Sequence, residues 1–298
     1  MPLDPPPAVS AYPAPRALLD QYGLRAKKSW GQNFLGDPEV LDDIARAAAP
    51  QAGETVVELG AGLGHLSARL LARGARVVAV ERDRDMVRVL RGELGDRITL
   101  LEADAARLDW PDLAARYGAP DAGGGAPRVA VAGNLPYHLS SPILFTLLDA
   151  ALAICRAVFL LQREVAERLA AGPGDENYGL LSVLLQRHAD VAVVRRVPAG
   201  AFWPPPRVES AVLEARFRLP ADPVVDEARL RALVKAGFGQ RRKTLRNALE
   251  AARLAPAERI EAALASAGID PRRRGETLTL AEWAALERGL GEPGPARG

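Results

Sequence analysis

The tetrapeptide Asn134-Leu135-Pro136-Tyr137 sets an amide acceptor, a rigid proline and an aromatic face side by side. It follows the apolar run Val129-Ala130-Val131-Ala132-Gly133, which reads as a buried strand leaving a sheet. Open α/β sheets bind ligands at the carboxyl ends of their strands. An amide oxygen beside an aromatic ring at such an end suits a flat base that carries an amine. Asn and Pro are also common turn residues, so the tetrapeptide alone fits an ordinary strand-to-helix turn as well.

A second set of residues lies upstream. Residues 56–71, VVELGAGLGHLSARLL, read as strand, glycine loop and amphipathic helix. Gly60, Gly62 and Gly64 allow a sharp turn and a close backbone approach to a ligand. The loop departs from the dinucleotide fingerprint, whose third glycine would fall where His65 stands. Glu81 closes the next strand, about where a carboxylate accepts hydrogen bonds from ribose hydroxyls. Asp104 follows the third strand, placed to reach an adenine amino group. Each acid alone fits a solvated strand end, but the loop and two carboxylates at successive strand ends predict a nucleoside site. A nicotinamide cofactor stays open on these residues. A loop not built for a pyrophosphate favours S-adenosyl-L-methionine, which carries no phosphate.

The elements that must hold these residues follow from the apolar pattern. Strands are expected at 55–59, 75–81, 97–102, 128–133 and 156–161, with helices near 64–73, 84–94 and 140–153. That alternation predicts an α/β fold with a doubly wound, Rossmann-like parallel sheet. Two further strands, 190–197 and 211–218, have no helix between them and could close the sheet as an antiparallel edge. Asp37-Pro38 reads as a helix start, and the glycine-rich stretch 118–127 as a surface loop. After a linker at 219–223, helical periods near 226–237, 241–252, 256–267 and 280–289 carry no strand signal and predict a small all-helical second domain.

The chain has 298 residues, 48% hydrophobic and 26% charged, a composition that suits a globular protein with a sizeable core. Its one cysteine, Cys155, rules out an internal disulfide framework and lies in an apolar stretch, as a buried structural thiol does. The three histidines have no metal-ligand spacing, so no metal is expected. No run is long enough to span a membrane, and the first residues lack the basic and apolar regions of a secretory signal. A cytoplasmic protein is expected.

With the glycine loop, Glu81, Asp104 and Asn134-Leu135-Pro136-Tyr137 in this order, the chain resembles the ribosomal RNA adenine N6-dimethyltransferases, most of all their bacterial 16S branch. The likeness runs from about residue 27 to residue 286. It includes Lys28-Ser29-Trp30-Gly31-Gln32-Asn33-Phe34-Leu35, Gln162-Arg163-Glu164-Val165-Ala166-Glu167-Arg168 and Tyr178-Gly179-Leu180-Leu181-Ser182-Val183. It continues through Phe202-Trp203-Pro204-Pro205-Pro206-Arg207-Val208-Glu209-Ser210 and Phe238-Gly239-Gln240-Arg241-Arg242-Lys243-Thr244-Leu245. Leu180, where the family usually has a basic residue, and Gly275 are small departures.

The resemblance implies a class I methyltransferase domain over 16–219, a helical RNA-binding domain over 224–290, and tails at 1–15 and 291–298. It implies S-adenosyl-L-methionine as cofactor, held at Asn33, Leu35, Gly60, Glu81, Asp104 and Asn134, with Gly62 in the same loop. The implied reaction is dimethylation of two adjacent adenosines near the 3′ end of 16S rRNA, on the small ribosomal subunit, by a monomeric enzyme in ribosome biogenesis. A resistance-type 23S rRNA methyltransferase and a non-catalytic nucleic-acid-binding protein on the same scaffold are the alternatives.

The adenine amine is a poor nucleophile because its lone pair is delocalised into the ring. Acceptors aimed at both of its hydrogens would favour a pyramidal nitrogen, and the Asn134 side-chain oxygen and the Pro136 carbonyl are assigned that role. Tyr137 would stack on the base, and Phe202, in a proline-stiffened loop, is a second stacking candidate. No dedicated general base is required, since methylation makes the amine strongly acidic. Residues 229–276 carry twelve basic side chains against five acidic ones, a surplus of seven in a chain whose net charge is +2. Arg241, Arg242, Lys243 and Arg272, Arg273, Arg274 are the expected phosphate contacts, with Lys27 and Lys28 adding to them.

Overall fold

The computed structural model describes residues 12–27, 30–120, 125–222, 224, 226–240 and 242–291. Two compact units emerge: one reaches to Ala166 and resumes over Asp190–Arg218, and the other holds Glu167–Ala189 and the chain from Leu219 onward.

The first unit opens with α1 (Pro15–Gln21), β1 (Phe34–Leu35) and α2 (Pro38–Ala48). Asp37 caps α2 by accepting the amides of Glu39 and Val40, with Pro38 in the first turn, as the sequence predicts. The alternation then runs β2 (Thr55–Leu59), α3 (His65–Ala72), β3 (Arg76–Glu81), α4 (Arg84–Glu93), β4 (Thr99–Glu102), α5 (Trp110–Tyr117), β5 (Val129–Asn134), α6 (Ser140–Asp149) and β6 (Ile154–Gln162). After α7 (Arg163–Ala170) and α8 (Leu180–His188) come β7 (Ala189–Val197), β8 (Phe202–Trp203) and β9 (Ser210–Phe217).

Seven strands form one sheet in the order β4-β3-β2-β5-β6-β9-β7. Pairing is parallel from β4 through β6, and β9 joins β6 antiparallel. The two late strands are neighbours at one end, as expected, with β9 inside and β7 at the edge. β2, β3 and β5 are buried along almost their whole length, which is why they read as continuous apolar runs rather than alternating ones. Strand order reverses between β2 and β5, and the crevice at such a switch point is where doubly wound sheets take their ligands.

Gly133 keeps those two strands close. A Cβ there would stand 2.6 Å from the Leu59 carbonyl oxygen, so only glycine fits at the end of β5. Outside the sheet, β1 and β8 form a two-residue antiparallel ribbon, with Phe34 opposite Trp203 and Leu35 opposite Phe202.

The second unit contains α9 (Glu227–Gly239), α10 (Leu245–Ala251), α11 (Ala257–Ser266) and α12 (Leu280–Gly291), close to the four expected helical segments. Residues 167–189 pack with these helices rather than with the sheet, in contrast to the continuous 16–219 domain expected from sequence order. The cause is long-range packing: Tyr178 and Val183 are buried with Leu230, Leu233 and Trp283, and Arg187 holds Glu227 at 3.0 Å. Leu180 packs against the same core.

The expected tails lie largely outside the described residues, as do residues 121–124 of the glycine-rich stretch. Tyr12 and Pro13 do not behave as a free tail. The Tyr12 hydroxyl donates to the Leu63 carbonyl at 2.7 Å, and His65 Nε2 lies 2.9 Å from the Pro13 carbonyl oxygen.

Candidate active site

A cavity of about 210 Å³ opens at the carboxyl ends of β2, β3 and β5. Asn33, Leu35, Gly60, Gly62, Glu81, Asp104, Asn134, Pro136 and Tyr137 all line it, so residues from five separate stretches of sequence meet at one place.

Glu81 organises the glycine loop. Its Oε2 accepts the Gly62 amide at 2.8 Å, and its Oε1 accepts the amides of Arg82 and Asp83, each at 2.8 Å. Gly62 presents that amide from a left-handed conformation (φ +56°). Burial pushes the Glu81 carboxyl up, and the three amides oppose the shift. Glu58, one strand over, is fully buried and accepts from the Ser67 hydroxyl; burial raises its carboxyl to about 8, so it is neutral at pH 7.

Asp104 receives the Ala106 amide at 3.0 Å and the Arg82 guanidinium at 3.2 Å. The Arg82 guanidinium also lies 4.8 Å from the centre of the Trp30 ring. Trp30 and Arg82 line the cavity without having been singled out in the sequence. The available signals were their positions, Trp30 directly before Gly31-Gln32-Asn33 and Arg82 directly after Glu81.

Asn134 ends β5 with its Nδ2 donating to the Asn33 carbonyl at 2.8 Å. A backbone carbonyl can only accept, so this bond fixes which side of the amide is nitrogen and leaves Oδ1 as the free acceptor. The Pro136 carbonyl is partly occupied, since it accepts the Leu139 amide at 2.9 Å and, at 3.4 Å, the Ser140 hydroxyl. Tyr137 is half-buried, and its Oη lies 2.8 Å from Ser210 Oγ, which holds the ring in place.

Phe202 is not part of this cavity. It is 5% exposed and packs in the sheet core with Leu35, because its place opposite Leu35 in the ribbon turns it inward. Lys27 is also placed differently from the RNA contact expected of it. Its ammonium lies 2.7 Å from Asp83 and 2.7 Å from Asp85, and bonds to both raise its basicity. It ties the segment before β1 to the start of α4. Lys28 lies outside the described residues.

In the helical unit, Arg242 and Lys243 are exposed, and Arg241 lies outside the described residues. In the second basic run Arg272 and Arg274 are exposed beside acidic neighbours, and Arg273 is half-buried. Arg272 holds Asp270 at 3.0 Å, Arg273 reaches Glu282 and the Thr277 carbonyl, and Arg274 stands 3.9 Å from Glu276. Among the described residues no group of three or more His, Cys, Asp or Glu could hold a metal ion, and no helix is long and apolar enough to cross a membrane.

The reversed strand order, the glycine loop with its acid partner and the late strand β9 joined antiparallel to β6 define a Rossmann-like class I methyltransferase fold. The family model for ribosomal RNA adenine dimethylases matches residues 23–290, and the chain belongs to that family. A protein of Anaeromyxobacter sp. (strain K) named ribosomal RNA small subunit methyltransferase A is 77% identical over 280 residues, covering 94% of this chain and 99% of that one. Its namesake in Myxococcus xanthus (strain DK1622) is 53% identical over 285 residues, with 95% and 97% covered. Among solved structures, the 23S rRNA methyltransferase ErmE matches with a TM-score of 0.64 at 26% identity, covering 87% of this chain and all 100% of that one. A dimethyladenosine transferase from Plasmodium falciparum matches in fold with a TM-score of 0.69 at 23% identity, covering 85% and 95%.

The family's cofactor is S-adenosyl-L-methionine, and the cavity's chemistry fits it. The lining offers the carboxyl groups of Glu81 and Asp104 beside the buried Glu58, and the side-chain amides of Gln32, Asn33 and Asn134, while its guanidinium, Arg82, is already held by Asp104. His65, where a dinucleotide loop would need glycine, is half-buried, and desolvation pushes it down to about 4, so it carries no charge for a phosphate. That balance suits a ligand with hydroxyls and amines and no phosphate.

Proposed function

We propose that this enzyme dimethylates N6 of two adjacent adenosines near the 3′ end of small-subunit ribosomal RNA. The observation that carries the reading is the bond from Asn134 Nδ2 to the Asn33 carbonyl, which leaves Oδ1 as an oriented acceptor in the cavity. Bound S-adenosyl-L-methionine would supply an electrophilic methyl group on a sulfonium. Glu81 would accept from its ribose, Asp104 from its adenine amine, and Asn33, Leu35, Gly60 and Gly62 would close around it.

The target adenosine leaves its stack to enter the cavity, where the ring of Tyr137 covers it. Asn134 Oδ1 takes one amine hydrogen, and the Pro136 carbonyl takes the other in place of the Ser140 hydroxyl, which reaches it only at 3.4 Å. Acceptors set beforehand cost no reorganisation during the reaction. Asn134 needs no ionisation to act, and the proton leaves the methylated amine to a carbonyl or to water.

The small subunit is favoured over the large one by the names of the relatives at 77% and 53% identity. The same reading has the protein act in the cytoplasm as a monomer during ribosome biogenesis. A single-turnover experiment on unmodified small subunits tests the chemistry. Wild-type protein is expected to form N6-dimethyladenosine, and Asn134→Ala to be slower by about 10²–10³-fold while still binding cofactor. An undiminished rate in that variant refutes the role given to Asn134.

A further inference from the structure

The ribbon of β1 and β8 sorts two adjacent aromatics to opposite faces. Directly opposed residues of an antiparallel pair share a face, so Phe202 goes with Leu35 and Trp203 with Phe34. Phe202 is buried, whereas Trp203 is 38% exposed. The residues after it, Pro204-Pro205-Pro206, have restricted φ angles and no amide hydrogens, so the indole does not sit on a loose loop.

Both ends of the stretch 203–210 are fastened to residues that line the cavity. Trp203 pairs with Phe34 at one end, and Ser210 holds the Tyr137 hydroxyl at the other. Between them Arg207 is exposed with no ion pair among the described residues, and Val208 is 44% exposed. Glu209 is the acid of the stretch, and Arg163 stands 3.5 Å from it.

We propose that Trp203 and Arg207 form a second platform, outside the cavity, that stacks the base next to the target adenosine and pairs with its phosphate. The proposal rests on the reading of the chain as an RNA methyltransferase. A nucleotide whose base is drawn into the cavity leaves its neighbours at the rim, and the fastening of this stretch to Phe34 and Tyr137 sets it there. A flat indole stacks on any base, and an unpaired guanidinium close by in sequence supplies the charge that a single strand requires. A protein partner is not favoured, because stable protein interfaces bury about 1,000 Å² or more and the exposed large apolar side chains of this stretch are Trp203 and Val208.

The test compares Trp203→Ala, Trp203→Tyr and Arg207→Glu with the wild type on unmodified small subunits, alongside thermal midpoints and cofactor binding. Trp203→Ala is expected to raise KM for subunits about tenfold or more, with kcat and cofactor affinity unchanged. Trp203→Tyr restores most of the loss because it keeps a stacking face. Arg207→Glu raises KM and weakens its dependence on salt. Wild-type KM in all three variants overturns the platform. So does a Trp203→Ala protein whose thermal midpoint and kcat fall while KM holds, since that describes packing alone. A wild-type protein that leaves small subunits unmethylated would refute the functional reading as well, whereas an active enzyme indifferent to these substitutions refutes the platform only.

Discussion

Glu81 and Glu58 stand on neighbouring strands and do different work because their surroundings differ. Glu81 is met by three backbone amides and serves as the hub of the glycine loop. Glu58 meets the Ser67 hydroxyl and little else that favours a charge, so burial raises it to about 8. In the unfolded chain this carboxyl ionises near its ordinary value of 4.5. Between those two values the folded protein holds a proton that the unfolded chain has lost, so this contribution to stability is greatest below about 4.5 and is eroded as pH rises toward about 8. Glu58→Gln is expected to flatten that decline, read as urea midpoints from about pH 5 to pH 8. Parallel curves for variant and wild type would show that Glu58 is already ionised. The meeting of Asn134, Glu81 and Asp104 at one cavity was legible because the first two close strands and Asp104 follows one. That of Phe202 was not, because in a two-residue strand a shift of one position exchanges core and surface. Lys27 misled for a related reason, since its partners Asp83 and Asp85 lie far off in sequence.

At the scale of elements, the site depends on how closely β2 and β5 approach at their ends. Gly133→Ala would press a methyl against the Leu59 carbonyl at 2.6 Å, a clash with backbone that no side-chain rotation relieves. A loss of about 1–3 kcal/mol is expected from such overpacking, together with weaker cofactor binding because Asn134 is the next residue. Urea denaturation and calorimetry measure both effects, and a variant as stable as wild type would show that the strands can part. The parallel strands were readable as apolar runs bounded by glycine loops and acids, and the structure places them within a few residues of expectation. β1 and β8 were not, because two residues carry no period. The membership of α8 in the helical unit was hidden as well, since it depends on Tyr178 and Val183 meeting Leu230 and Trp283 across long sequence separations.

For the molecule as a whole, charge divides the labour. The surplus of basic residues in 229–276 could be counted from the sequence, but which of them remain free could not. Arg273 is half-buried and bound to Glu282 and Thr277, while Arg242 and Lys243 are exposed with no ion pair among the described residues. Arg242→Glu combined with Lys243→Glu is therefore expected to weaken binding to small subunits and to lower the salt dependence of log K by about 2, one per lost phosphate contact. Cofactor affinity should stay unchanged. An unaltered salt slope would remove these two residues from the RNA surface. The account as a whole is tested most directly by offering the enzyme equal amounts of unmodified small and large ribosomal subunits with labelled S-adenosyl-L-methionine, then identifying the labelled nucleosides of each RNA by mass. The prediction is label in N6-dimethyladenosine from small-subunit RNA; label confined to the large subunit, or none at all, would contradict it.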